Sequence, residues 1–529
     1  MVSKKLQVWL PLIFSVVLVV GMYLGFTLRA ATAGATTFLR NNENSPVQEV
    51  IDLVKSKYVD NVKIDSLNDS VIDNILSHLD PHTVYIPAKD LAYVNEDLEG
   101  HFQGIGVEFQ VLNDTVNIVS VIPGGPSDKA GMLTGDKLIK VDDSVTIAGV
   151  HISNGDIRKY LRGEEGSKVS VTVLRDKQLK KLAIERGVIP LPSIDAAYII
   201  APQTGYIRIN KFAETTYIEF MDAMSKLQKQ GMQKLILDLR GNGGGLVDQA
   251  TNIADEFLNG DKMIVYTQGA KAPRTDYRCR KDGVFETGKL TVLVDESTAS
   301  ASEILSGALQ DWDRATIIGR RTFGKGLVQE QFNLSGGAAL RLTIARYYTP
   351  LGRNIQKPYN KGKEEYEDEL MNRFHDGEVL HGDTAKPKGP AFKTPGGRTV
   401  YGGGGITPDI FVPFDTTSQS KALTQMYMKN TLSDFVYNYY MQHKSAVQAY
   451  KTPKDLYTQF KPGETEWTEL IDFAKKDTID IATVPASSKA ELMKLFPVML
   501  ARQVWRTEGY FEVSNENDPV IKKALDVLK

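Results

Sequence analysis

One cysteine, Cys279, stands in 529 residues. No intramolecular disulfide can form, and no motif around that thiol supports a cysteine nucleophile. Histidine is scarce too, and none of the seven lies in a G-x-S-x-G or similar setting, so a Ser-His-Asp triad has no support. His78 and His82 are four apart, but Pro81 breaks the helix face that a shared metal would need, and no metal site is expected. Positive charge is not in excess: 63 Lys plus Arg face 65 Asp plus Glu, a net charge of −2, so nucleic acid is not an expected partner.

What is present is mostly globular. With 42% hydrophobic and 24% charged residues, the chain is long enough for about three or four domains with a sizeable core. Lys4 and Lys5 precede an apolar run over 6–28, longer than the ~7–15 residues of a signal core and about long enough to span a bilayer. Residues 1–30 therefore predict a membrane anchor or signal. Cleavage after Ala33 or Ala35 is the alternative to retention, and the basic flank stays in the cytoplasm. The expected location is the inner membrane, single-pass, with the rest of the chain in the periplasm.

Helical spacing over 45–79 puts Val47, Val50, Ile51, Val54 and Tyr58 on one face and predicts a small helical region over 45–99. From 100 to 187 short β-like runs punctuated by glycine predict a compact β-rich module. Over 188–414 strands alternate with helices, as in "LILDLRGNGGG" and "LTVLVD" followed by "STASASEILSGALQ", which predicts an α/β layered core. A polar insertion at 360–404 reads as a long loop or hairpin. Beyond 414 an apolar stripe of Leu423, Met426, Tyr427, Leu432, Phe435, Val436, Tyr439 and Tyr440 predicts a helical region over 415–529.

The chemistry centres on "STASASEILSGALQ". Ser300 and Glu303 form an S-x-x-E capping box at a strand-to-helix turn, which by itself requires no catalysis. The same turn lies at the positive end of a helix, where spare N–H groups can stabilise an oxyanion. A serine nucleophile needs a base. Lys325 in "FGKGLVQ" can serve if burial beside Phe323, Leu327 and Val328 brings its pKa down from ~10.4 towards 7 or 8. Gln329, four residues on, shares its face in a strand or a helix and can orient the amine without adding charge. "DLRGNGGG" fits neither phosphate-loop pattern, G-x-G-x-x-G nor G-x-x-x-x-G-K-[ST], and is better suited to supply a backbone oxyanion donor.

These segments occur in one order, with "LDPHTVYI", "FQGIGVEF", "PGGPSDKAGMLTGDKLIKVD", "LRGEEGSKV", "GYIRINKF", "LILDLRGNGGG", "STASASEILSGALQD", "RTFGKGLVQ", "LRLTIARYYTPLGRNIQ" and "GITPDI" spread over about 47–413. In that order the chain resembles the C-terminal processing peptidases, or tail-specific proteases. The resemblance implies a multidomain α/β protein with a crotonase-like peptidase core, an inserted PDZ domain and flanking helical regions. It implies Ser300 as nucleophile, Lys325 as general base and Gln329 as its orienting partner. The oxyanion donors it implies are Ala301 N–H and Gly245, with Gly244 as the fallback. Gly104, Ile105, Gly106 and Val107 match the carboxylate-binding loop of the PDZ domain, and Arg162 a segment linking that domain to the active site. The implied partners are protein or peptide substrates with free C-termini, with no metal or organic cofactor. Two other functions share parts of this pattern: a catalytically silent PDZ scaffold and a crotonase-type acyl-thioester enzyme. For the C-terminal helices, homo-oligomerisation and adaptor recruitment are the roles considered.

Overall fold

The computed structural model describes residues 46–61, 64–382, 389–415 and 420–529, together with Ser15 and Val17. The predicted anchor thus lies outside the described residues apart from those two; among the described residues no helix is long and apolar enough to cross a membrane. The chain divides into two units, Met1–Ile75 and Leu76–Lys529. In the first, the helix Pro46–Lys57 has no buried residue, and Val47, Val50 and Tyr58 of the expected core face are exposed. Helical spacing shows that a face is apolar, not that anything covers it.

The second unit is organised by a six-stranded sheet in the order Ile194–Ala201, Thr204–Ile209, Lys234–Asp238, Lys289–Val294, Thr316–Gly319 and Ile410–Phe411. The first pair is antiparallel, and every later pairing is parallel. Ile194–Ala201 went unread in the sequence. Alternation along the strands sorts residues to two faces. Leu235, Leu237, Val292 and Val294 join one cluster with Phe220, Ile253 and Leu305 from the helices Thr216–Lys229, Val247–Asp255 and Ala301–Asp311. Ile236, Leu293 and Ile318 face the opposite way, where Val520, Ile521, Ala524 and Leu528 of the helix Pro519–Leu528 cover them. Each such side chain, fully buried, contributes roughly 1.5–3 kcal/mol. The last helix therefore belongs to the sheet rather than to the helical region that precedes it.

A second sheet is built on the long strand Ala339–Tyr348, which pairs with Leu327–Asn333, Val84–Ile86 and Met263–Gln268. The β-rich module opens and closes through a ladder in which His101–Gly104 pairs with Gly187–Pro190. In its sheet, Val169, Val171 and Val173 alternate inwards onto Ile118, Leu138 and Ile157. Val107–Leu112 is an edge strand, paired only with Thr115–Val121 among the described residues.

The insertion differs from the expected loop or hairpin. A hairpin is there, Ala391–Lys393 against Thr399–Tyr401, but the helix Lys363–His375 precedes it. That helix docks through charged groups: Glu369 meets Arg321 and Lys357, and Arg373 donates to the carbonyls of Arg321 and Thr322, so no apolar period announced it. In the C-terminal bundle Leu432, Phe435, Val436, Leu470, Leu492 and Phe496 form a core, whereas Tyr427 of the expected stripe is exposed.

Candidate active site

Three adjacent parallel strands release their chains at the same edge of the sheet. The glycine loop follows Lys234–Asp238, Ser300 follows Lys289–Val294, and Lys325 follows Thr316–Gly319. Asp238 pairs with Leu293, and Val294 with Gly319, so the three exits are neighbours. Carboxyl ends of parallel strands are where open α/β sheets gather ligand-binding loops.

Ser300 has φ 57° and ψ −117°, a conformation that costs a non-glycine residue on the order of 1–3 kcal/mol and persists only where the surroundings impose it. They do. Ala299 N–H and the Ser302 hydroxyl both donate to the Asn242 carbonyl at 3.0 Å, and the Thr298 hydroxyl donates to the Leu239 carbonyl at 2.9 Å. The neighbouring hydroxyls thus fasten the turn bearing Ser300 to the glycine loop. Of the predicted capping box, the Glu303 half is made, with Ser300 N–H donating to its carboxylate at 2.9 Å; the Ser300 side chain makes no cap hydrogen bond.

The glycine loop comes in closely. At Gly244 (φ 102°) a Cβ would lie 2.7 Å from Ser300 Cβ and 3.0 Å from Ala301 N. At Gly245 (φ 138°) it would lie 2.1 Å from the Phe212 carbonyl oxygen. Gly244 N–H is already committed to Asn242 Oδ1 at 2.8 Å, and buried Asn242 is itself held by the Ile209 carbonyl at 3.0 Å. Ala301, as the first helical residue, has an N–H without an intrahelical acceptor.

Two buried groups bind the serine and lysine segments to each other. The Glu303 carboxylate accepts N–H from Ser300, Gly324 (2.8 Å) and Lys325 (2.8 Å), and the Thr322 hydroxyl. Burial pushes its pKa up, against these four donors. From the other side the Tyr347 hydroxyl reaches the carbonyls of both Ser300, at 3.0 Å, and Lys325.

Lys325 Nζ donates to Gln329 Oε1 at 2.9 Å, and Gln329 Nε2 donates to the His82 carbonyl, which fixes the orientation of the amide. Burial lowers the lysine pKa, and Arg341 lowers it further, while Asp80 and Glu303 act in the opposite direction. The lysine precedes the strand Leu327–Asn333, and a register shift falls between Val328 and Gln329. The pair meets through the reach of the lysine side chain rather than through even strand spacing. His82 is tied in turn: its N–H donates to Asp80 Oδ1 at 2.9 Å, and its ring meets the Tyr366 hydroxyl at 2.7 Å. The insertion thus reaches the lysine through Tyr366, His82 and Gln329.

The structure brings Ser300, Ala301, Gly244, Gly245, Lys325 and Gln329 into this one site. Gly104, Ile105, Gly106 and Val107 lie elsewhere, at the mouth of the β-rich module, where Ile105 is buried and Gly106 has φ 74°. Arg162 makes an ion pair with Glu96, with its guanidinium 4.6 Å from the centre of the Phe102 ring. Glu303 as an organiser, Tyr347 and Asn242 were not singled out. Of these only Glu303 carried a signal, in the capping box.

The fold and this site define a serine-type peptidase with an attached PDZ domain. The model of peptidase family S41 matches residues 203–362, the PDZ domain model matches 103–185, and residues 422–506 match a family of unknown function. The carboxy-terminal-processing protease of Bartonella bacilliformis is 34% identical over 355 residues, 64% of this chain and 79% of that protein. A probable CtpA-like serine protease of Staphylococcus aureus is 34% identical over 312 residues, 58% of this chain and 62% of that protein. Among solved structures, a photosystem II D1 C-terminal processing protease is 27% identical, with a TM-score of 0.36, covering 69% of this chain and 86% of its own. The chain belongs to the carboxy-terminal-processing proteases.

Proposed function

We propose that the protein is an endopeptidase with a Ser300–Lys325 dyad that selects protein substrates by their C-terminal tails. The observation that carries this reading is the half-buried amine of Lys325, held by Gln329, with its segment locked by Glu303 and Tyr347 to the turn bearing Ser300. Neutral Lys325 takes the Ser300 hydroxyl proton while Oγ attacks the scissile carbonyl carbon. The oxyanion is met by Ala301 N–H and Gly245 N–H; Gly245 is preferred over Gly244 because Asn242 already holds the Gly244 amide. Collapse expels the amine, which takes the proton from Lys325. Water, deprotonated by the same lysine, then hydrolyses the acyl ester.

The core that carries this chemistry is crotonase-like, and the PDZ domain is inserted in it. The loop of Gly104, Ile105, Gly106 and Val107 captures the terminal carboxylate while the tail adds to the edge strand Val107–Leu112. The apolar run at 6–28 anchors the protein in the inner membrane, with the peptidase in the periplasm. Ser300→Ala and Lys325→Ala should each abolish cleavage of an unfolded substrate while leaving thermal unfolding intact. Turnover retained in either variant refutes the dyad.

A further inference from the structure

The C-terminal helical module walls one side of the PDZ edge. A cavity of about 520 Å³ lies between the edge strand Val107–Leu112, with Asn154 and Arg158 beside it, and the helices Thr431–Gln442 and Ala486–Ser514. That volume falls within the ~300–1,000 Å³ of ordinary ligand sites, so the module flanks the groove without filling it. Two contacts join the walls. Gln110 donates to Asp434, and Arg506 donates to Glu108 at 2.6 Å. Arg506 makes its contact from φ 57°, ψ −144° inside its helix, a strained conformation in the chain segment that faces the groove.

The charge around the cavity is uneven. Arg158, Lys429, Arg502 and Arg506 line it against Glu108 and Asp434. Glu108 is neutralised by Arg506, and burial pushes the Asp434 carboxyl up to about 7. Arg158 and Arg502 have no acidic partner among the described residues and flank the cavity from opposite walls, one from the PDZ helix Asn154–Leu161 and one from the C-terminal module. A row of unpaired backbone groups on the edge strand beside two free guanidiniums suits an extended peptide that carries a carboxylate of its own.

We propose that the C-terminal helical module is the second wall of the tail-binding groove and selects protein tails with an acidic side chain, received by Arg158 and Arg502. This rests on the reading of the PDZ domain as the tail receptor and adds the chemistry of the tail. It also gives residues 422–506 a role in substrate selection.

The test uses the full chain with Ser300→Ala and fluorescent peptides identical except for Asp or Asn within the last five residues. The Asp tail should bind roughly tenfold more tightly, since two partly exposed ion pairs are each worth several-fold. Arg158→Gln with Arg502→Gln should bring the ratio close to one, and so should high salt on the chain that keeps both arginines, which serves if the double variant is poorly folded. An Asp-to-Asn ratio near one in the chain with both arginines, or a ratio unmoved by the double substitution, overturns the proposal. C-terminally amidated copies separate the two levels. If amidation leaves affinity unchanged, tail recognition itself fails and the proposal falls with it. If amidation weakens binding while Asp and Asn tails bind alike, only the acidic selectivity is lost.

Discussion

Replacing Glu303 by glutamine preserves the shape of the side chain and removes an acceptor at the crowded centre of the site. One carboxylate oxygen accepts the Thr322 hydroxyl and Gly324 N–H; the other accepts Ser300 N–H and Lys325 N–H. If the second oxygen becomes an NH₂ group, Ser300 N–H and Lys325 N–H lose their acceptor and face another donor; if the first does, Gly324 N–H loses its acceptor while the Thr322 hydroxyl can turn to accept. Each such orphan costs about 1–3 kcal/mol and the less costly orientation leaves one, so the substitution should destabilise the native state by about 1–3 kcal/mol. That is a large part of the ~5–15 kcal/mol by which domains are stable. In a core of this size it lowers Tm by roughly 2–12 °C. Moving the Ser300 or Lys325 segment relieves the conflict, and either movement separates the two members of the proposed dyad, so kcat/KM should fall by at least ~100-fold, equivalent to ~2.7 kcal/mol of barrier. Calorimetry and turnover of a tailed substrate measure both. A Glu303→Gln protein with Tm unchanged within 2 °C, by the ~2–4 °C per kcal/mol of such domains, and kcat/KM within about threefold refutes the clamp.

Gly244→Ala places a Cβ against Ser300 Cβ and the Ala299 carbonyl at a backbone φ of 102°, so peptidase activity should be lost more completely than thermal stability; near-normal kcat/KM would contradict the close approach. Arg341→Gln removes a positive charge that holds the Lys325 pKa down, which favours the ammonium and should move the acid limb of kcat/KM to higher pH; a limb that stays put or moves down argues against Lys325 as the base. His82 is lowered from its ordinary 6.5 to about 4, chiefly by burial and then by Lys325. Its folded state resists protonation, so this contribution is complete above pH 6.5 and is lost as pH falls towards 4, amounting to at most about 3 kcal/mol. Thermal unfolding across that window should show a shallower pH slope in His82→Gln, and an identical slope removes His82 from the account.

The contiguous chemistry was legible because short motifs carry it. Ser300, Lys325 and the glycine loop each follow a strand whose apolar run marks the carboxyl edge of the sheet. What could not be read depends on pairing between distant residues. Glu303 showed as a helix cap, yet three of its four donors come from residues 322–325. Tyr347 looked like one aromatic among many in a strand, and only the fold aims its hydroxyl at two carbonyls. Arg506 and Glu108 are almost 400 residues apart in the chain. The helix of the insertion was missed for a different reason: its inward residues include Arg373 and the half-exposed Glu369, which a hydrophobic period does not register.

The helix Pro519–Leu528 links the far face of the sheet to the site on its edge. One face of the catalytic sheet is closed by this helix, and Asp518 at its start is ion-paired to Arg240, which also grips buried Asp238 just before the glycine loop. A chain that stops short of this helix leaves Ile236, Leu293 and Ile318 open to water. Packing on the far face of the sheet is thereby coupled to the strand end that carries the glycine loop, so damage to this helix can reach the catalytic edge without touching a residue of the site.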